Sequence, residues 1–206
     1  MKAAEHRSLR EFDISGGNVA LDFANTVSQR LSKQKQEHLL SYPDLIRWAK
    51  QAGVISSTEA DRISCRADAH PRQAARVLHA ALELRESVQG IFSAIAAHQE
   101  PPSEHLRALS LALQRWHRKV ELRWTWEGAV WEWNDEPDSV QKILWPVLQA
   151  CAGLLTSRER KRVRECEADN CAWLFMDHSK NQSRRWCDMK VCGNREKARR
   201  FYRRKR

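Results

Sequence analysis

The chain has 206 residues, 42% of them hydrophobic and 30% charged, and a formal net charge of +10. That length suits one or two domains with their own cores; no apolar run reaches the ~20 residues of a membrane span, and the polar opening MKAAEHRSLREF lacks the apolar stretch of a signal peptide. The expected setting is the cytoplasm, where clustered cysteines serve metal ions more often than disulfides.

Near the start, Asp22, Asn25 and Thr26 form a polar cluster beside the apolar Leu21, Phe23 and Val27. Two roles suit it. It lines a pocket for a small-molecule effector of unknown identity, or it packs between helices with its hydrogen bonds satisfied. Residues 44–51 place Leu45, Trp48 and Ala49 on one face, with Pro43 near the first turn and Gly53 beyond the end, which predicts a helix. Ser56 and Glu59 have capping-box spacing and open another. From Pro71 to about His98, apolar residues recur at period 3.6, predicting a long buried helix that Glu100-Pro101-Pro102 ends. Ser103 is the expected cap of a further helix bearing Leu106, Leu109, Leu113 and Trp116.

The period then changes to two. Residues 121–126 and 130–133 alternate apolar and polar around a Glu127-Gly128 turn, which predicts a β-hairpin with tryptophans along one face. Four large rings are expected as a packed sheet face rather than a stacking platform. Residues 140–155 predict a last helix of this part, capped by Asp138 and Gln141, which Pro146 kinks or splits. Cys65 and Cys151 fit no metal pattern and are expected to be structural. Residues 156–164 read as a polar, basic connector.

The remaining cysteines are Cys166, Cys171, Cys187 and Cys192, with spacing C-x4-C-x15-C-x4-C. Two tight knuckles around a short returning segment are what a tetrahedral zinc ion needs. Residues 167–170 are turn-prone, residues 173–176 read as a strand, residues 177–183 as a polar loop, and residues 184–186 return to the second knuckle. A basic helix follows from Gly193-Asn194. The outline is similar to treble-clef-like modules. Four protein ligands leave no open position on the ion, so the zinc is expected to be single, structural and non-catalytic. His178, in the loop, is expected to stay free. Chelation is expected to melt residues 160–206 and leave the helical part folded.

The charge follows this division. Residues 157–206 hold 17 Lys/Arg against 7 Asp/Glu, while residues 1–156 hold 19 of each. A basic module on a neutral body attracts polyanions and releases their counterions. The expected architecture is a mainly α N-terminal domain, residues 1–156, with an inserted β-hairpin, and a small α+β treble-clef-like zinc finger over residues 157–206. Asn194 and Arg195 are suited to base edges. Lys180, Ser183, Arg184 and Arg185 are suited to phosphates, and Lys197, Arg199, Arg200, Arg203 and Arg204 add charge along the helix. Local roles compete: Asn194 can cap its helix and Arg195 can pair with Asp177 or Asp188. Trp173 and Trp186 are expected to pack within the module.

These residues also carry a family resemblance. Cys192-Gly193-Asn194-Arg195, with residues 171–177, 183–187 and 195–198, resembles the CGNR zinc finger, and residues 16–26, GGNVALDFANT, look like the opening of the ABATE domain. The resemblance implies a bacterial, stress-induced, DNA-binding regulator of transcription. RNA is the nearest competing partner, and a redox-sensing or protein-interaction role for the zinc thiolates is the alternative from another class. A homodimer would suit a two-fold operator, though no heptad repeat supports one. No phosphate-binding glycine loop, nucleophile elbow or metalloprotease helix occurs, so no enzyme activity is expected.

Overall fold

The computed structural model describes residues 11–134 and 139–205, apart from the side chain of Arg204. It opens with a loop that needs both of its glycines. Gly17 has a φ of +77°, and a Cβ there would lie 3.2 Å from the Met176 side chain. A Cβ on Gly16 would lie 2.9 Å from Asp22 Oδ1. Asn18 then caps α1 (Val19–Ala24), its side chain accepting the Ala20 N–H. Two short strands follow, β1 (Val27–Ser28) and β2 (Gln36–Glu37), paired antiparallel.

The next four helices are α2 (Tyr42–Gln51), α3 (Ser57–Ala69), α4 (Pro71–Ala96) and α5 (Ser103–His117). Ser41 caps α2, and both bonds of the Ser56/Glu59 capping box are formed at α3. Ser103 is not a cap. It is the first residue of α5, and Pro102 precedes it with no side-chain cap bond. The 26-residue α4 is the axis of the fold and packs against α1, α2, α3 and α5. Phe23, Trp48, Ile91, Phe92 and Leu148 lie at the centre of the core, with the Phe23 and Trp48 rings 5.0 Å apart.

Strands β3 (Val120–Thr125) and β4 (Gly128–Trp133) form the expected hairpin, in register Val120↔Trp133 to Thr125↔Gly128. The expectation of a packed tryptophan face holds only at its base. Trp133 lies 5.3 Å from Trp116, and Trp131 lies 6.2 Å from Trp145. Trp124 and Trp126 are 81% and 93% exposed. Alternation puts Leu122, Trp124 and Trp131 on one face, but the hairpin runs past the helical layer, so its outer half has nothing to pack on.

Pro146 splits the predicted last helix. A 3-10 turn (Lys142–Leu144) leads into α6 (Trp145–Thr156), with Pro146 in the first turn, where a missing N–H costs nothing. Gln141 makes no side-chain cap, and Asp138 lies outside the described residues. Cys151 is buried as expected, whereas Cys65 is exposed.

The basic connector is structured. Residues Arg158–Arg162 form a 3-10 turn and β5 (Val163–Glu165) pairs antiparallel with β6 (Leu174–Met176), in register Val163↔Met176 and Glu165↔Leu174. The partner expected for β6, residues 184–186, is not a strand. Alternation makes this sheet a wall between two cores. Val163, Leu174 and Met176 face the helical core, while Phe175 faces the cysteines. The chain closes with a π-helical turn (Met189–Gly193) and α7 (Asn194–Arg204). No helix among the described residues is long and apolar enough to cross a membrane.

Candidate metal centre and its basic surface

Two backbone turns bring the four cysteines together. In the first knuckle the Cys171 N–H donates to Ala168 O at 2.9 Å, Ala172 turns with a φ of 59°, and the Cys166 N–H donates to Trp173 O at 2.8 Å. In the second, the Asp188 carboxylate accepts the Val191 N–H at 2.7 Å and starts the π-helical turn. Gly193 ends that turn, with the Met189 side chain folded over it. The Glu167 N–H donates to Arg185 O at 3.0 Å and ties the knuckles to each other.

All four sulfurs are buried and lie within 4.8 Å of one another. Cys171 and Cys187 are 3.7 Å apart, and Cys187 and Cys192 3.6 Å. A disulfide would need about 2.05 Å. The edge of a tetrahedron with ~2.3 Å metal–sulfur bonds is about 3.8 Å. The cluster therefore has the size and donor set to hold a metal ion. Four touching thiols cannot all ionise without one. Hydrogen bonds from Cys171 and Cys187 lower Cys166, donating to Cys166 is the first cause raising Cys171 and Cys187, and burial raises Cys192. A bound cation removes that conflict by replacing the protons. His178 is exposed and stands outside the group.

The structure sorts the basic residues into two sets. Acceptors in the first knuckle hold one side of α7: Arg195 donates to Asn170 at 3.2 Å, Arg199 pairs with Asp169, and Arg203 lies 3.7 Å from the same carboxylate. Arg195 thus pairs with Asn170 rather than Asp177 or Asp188. Asn194 is the first residue of α7 rather than its cap, and its amide donates back to Lys190 O at 3.0 Å. Arg184 donates to the carbonyls of Trp186 and Cys187 and lies 4.4 Å over the Phe175 ring. Arg185 pairs with Glu167. Both arginines brace the knuckles. At about 100° per residue, Arg195, Arg199 and Arg203 share one side of the helix, Lys197 lies opposite them and Arg200 on the flank next to Arg203. Lys197, Arg200, Lys180 and Ser183 are exposed. The Arg204 side chain is outside the described residues. Trp186 and Trp173 are both half-buried against the cysteine cluster, as expected, and the Trp173 ring N–H also donates to Val27 O at 2.7 Å.

The Asp22, Asn25 and Thr26 cluster is buried. Asn25 donates to Leu174 O and accepts the Leu174 N–H, at 2.8 and 2.9 Å. Thr26 donates to Phe23 O and accepts from Arg85. Sequence periodicity cannot reveal the first of these links, which spans 149 residues. All three residues also line a cavity of about 610 Å³. Burial raises the Asp22 carboxyl from 3.8 to about 6, the Gly16 N–H opposes the rise, and the Asp13 charge adds to it. An unfolded chain therefore releases this proton first, so stability falls as pH climbs from 3.8 to about 6 and stays lowered above. Asp22→Asn keeps the acceptor for Gly16 and removes the charge. It is expected to add on the order of 1–2 kcal/mol at neutral pH and almost nothing at acid pH, measured by urea unfolding at both. An unchanged neutral midpoint contradicts this assignment.

Comparison with known families agrees with this arrangement. The ABATE model, described as "Putative stress-induced transcription regulator", matches residues 17–158. The CGNR zinc finger model matches residues 162–205. A search of curated proteins returns no match.

Proposed function

Because the chain belongs to the ABATE family and carries a CGNR zinc finger, we propose that it is a DNA-binding regulator of transcription whose four cysteines hold one structural zinc ion. Four thiolates in a tetrahedral cluster suit zinc, and a closed set leaves it no position for substrate. Deprotonating four thiols and adding one zinc lowers the surplus of 10 over residues 157–206 by 2, so the module stays strongly basic.

One observation supports the reading most. The cations of α7 divide into those engaged by the first knuckle, Arg195, Arg199 and Arg203, and those that stand clear of it. Those bonds hold the helix, and Lys197 faces away from them while Arg200 lies exposed on the flank. The DNA-facing surface is then Lys197 and Arg200 with Lys180 and Ser183 of the loop, reading phosphates more than bases. Asn194, Arg195, Arg184 and Arg185 set its shape. Residues 1–156 form the regulatory domain and residues 157–206 the DNA-binding one.

Duplex DNA titrated at several salt concentrations tests this. Binding should weaken with a slope of log K against log salt on the order of −4 to −7, for roughly five to eight neutralised phosphates. Lys197→Ala with Arg200→Ala should reduce the slope by about 2. No binding at low salt sinks the proposal, and stronger retention by structured RNA in competition transfers the surface to RNA.

A further inference from the structure

The cavity of about 610 Å³ beside α1 is walled by Asp22, Glu37, Asp44, Phe12 of the N-terminal segment and Trp173 of the finger. Its volume is that of a small-molecule site. Most of its polar groups are already committed. Glu37 takes a two-pronged bond from Arg85 at 2.6 Å. Asp44 pairs with Arg47 at 3.0 Å and accepts from Ser41 and the Leu40 N–H. His38 shares a hydrogen with Ser28 at 2.7 Å. Asn25 and Thr26 are held by the bonds described above.

Asp22 is the exception. It is 4% exposed, yet among the described residues only one of its oxygens has a partner, the Gly16 N–H at 2.7 Å. Glu11 and Asp13 stand at the rim, and neither has an ion-pair partner among the described residues. Arg47, the cation in the lining, pairs with Asp44 and lies 5.2 Å over the Phe12 ring, and Arg85, outside the lining, meets Glu37. What is left is surplus negative charge, concentrated at a desolvated carboxylate and flanked by two aromatic rings. Such a site selects a positive ligand with an apolar body, because the carboxylate attracts the cation while the rings cover the apolar part. A metal ion would need several oxygens around one point, and Asp22 presents a single free one.

We propose that this cavity binds a small organic cation, with Asp22 as its counter-ion and Phe12 and Trp173 as its apolar walls. Trp173 stands two residues after the metal-site Cys171, so an occupant touches the finger as well as the helical part. The site does not depend on what the finger binds.

The test uses the full metal-loaded chain and 2-phenylethylamine as probe, with 2-phenylethanol and phenylacetate as neutral and anionic controls, read by thermal shift and calorimetry. The amine alone should give a saturable rise in melting temperature. Asp22→Asn, which keeps the Gly16 bond, should weaken it roughly tenfold or more while metal content and circular dichroism stay unchanged. Equal shifts from the alcohol or the acid, no shift from the amine at millimolar concentration, or undiminished binding by the variant would each overturn the proposal. None of these outcomes involves DNA, so a failure here is separate from a failure of DNA binding.

Discussion

Chelation of the metal is expected to unfold both cysteine knuckles and α7 while the β5–β6 hairpin and the helical core stay protected. The module beyond the hairpin has little else to hold it. Its buried apolar side chains are Phe175, Ala168 and Ala172, with Trp173 and Trp186 half-buried beside them. A structural four-cysteine site contributes on the order of 10–16 kcal/mol in such modules, far above what those few residues supply by burial at ~25 cal/mol per Å². The boundary of unfolding differs from the residues 160–206 expected from cysteine spacing. Val163, Leu174 and Met176 are buried in the helical core, so their strands keep their protection. Amide hydrogen exchange measures this directly. The N–H groups of Glu167, Cys171 and Val191 should exchange fast without metal, and those of α4 slowly. Retained protection at all three after complete metal removal would show that the ion is not what folds the knuckles. Cys187→Ser should reproduce the chelated state, since Cys187 touches two of the other sulfurs. Acid acts in the same direction, because protons compete with the ion for thiolates.

Asn25→Ala is expected to cost about 2–6 kcal/mol, as much as truncating a large side chain of the core. Strand β6 has β5 on one edge only. On its other edge the Asn25 amide takes the place of a neighbouring peptide, donating to Leu174 O and accepting its N–H, and Gly16 O accepts the Met176 N–H at 2.8 Å. Truncation leaves a donor and an acceptor buried without partners, at about 1–3 kcal/mol each. Asn25→Asp should be no better, since a carboxylate cannot donate to Leu174 O and would carry a buried charge. Urea midpoints with an unchanged m-value measure the loss. A midpoint shift worth under about 0.5 kcal/mol, the range of a neutral surface site, would mean that water replaces the amide there.

The cysteine cluster was legible because its information is local. Two equal short loops can close on one ion whatever the rest of the chain does. The long helix α4 was legible for a similar reason, since a period of 3.6 over 26 residues has one reading. The hairpin arm shows where such reasoning stops. Alternation predicts an apolar face but does not say whether another layer lies over it, and for Trp124 and Trp126 none does. Strand β5 was missed because Val163 alone among Arg162, Arg164 and Glu165 is apolar, so its pairing with β6 has no periodic signal. The N-terminal motif was read as a polar cluster, but whether Asn25 faces a ligand or a strand 149 residues away depends on a contact that no local pattern encodes.

The charge of the last fifty residues divides along the same line. Composition by itself determined that the module is basic, and cysteine spacing determined that it is folded around a metal site, because charge totals and short-loop closure do not depend on distant contacts. Which arginines are available was decided only by the tertiary structure. Asp169, Asn170 and Glu167 come to face Arg195, Arg199 and Arg185 once the knuckles close, and a cation engaged by such a partner holds the module's shape. Lys197 on the far side of the same helix and Arg200 on its flank stand clear of those acceptors, and that division exists only after the first knuckle is laid against the helix.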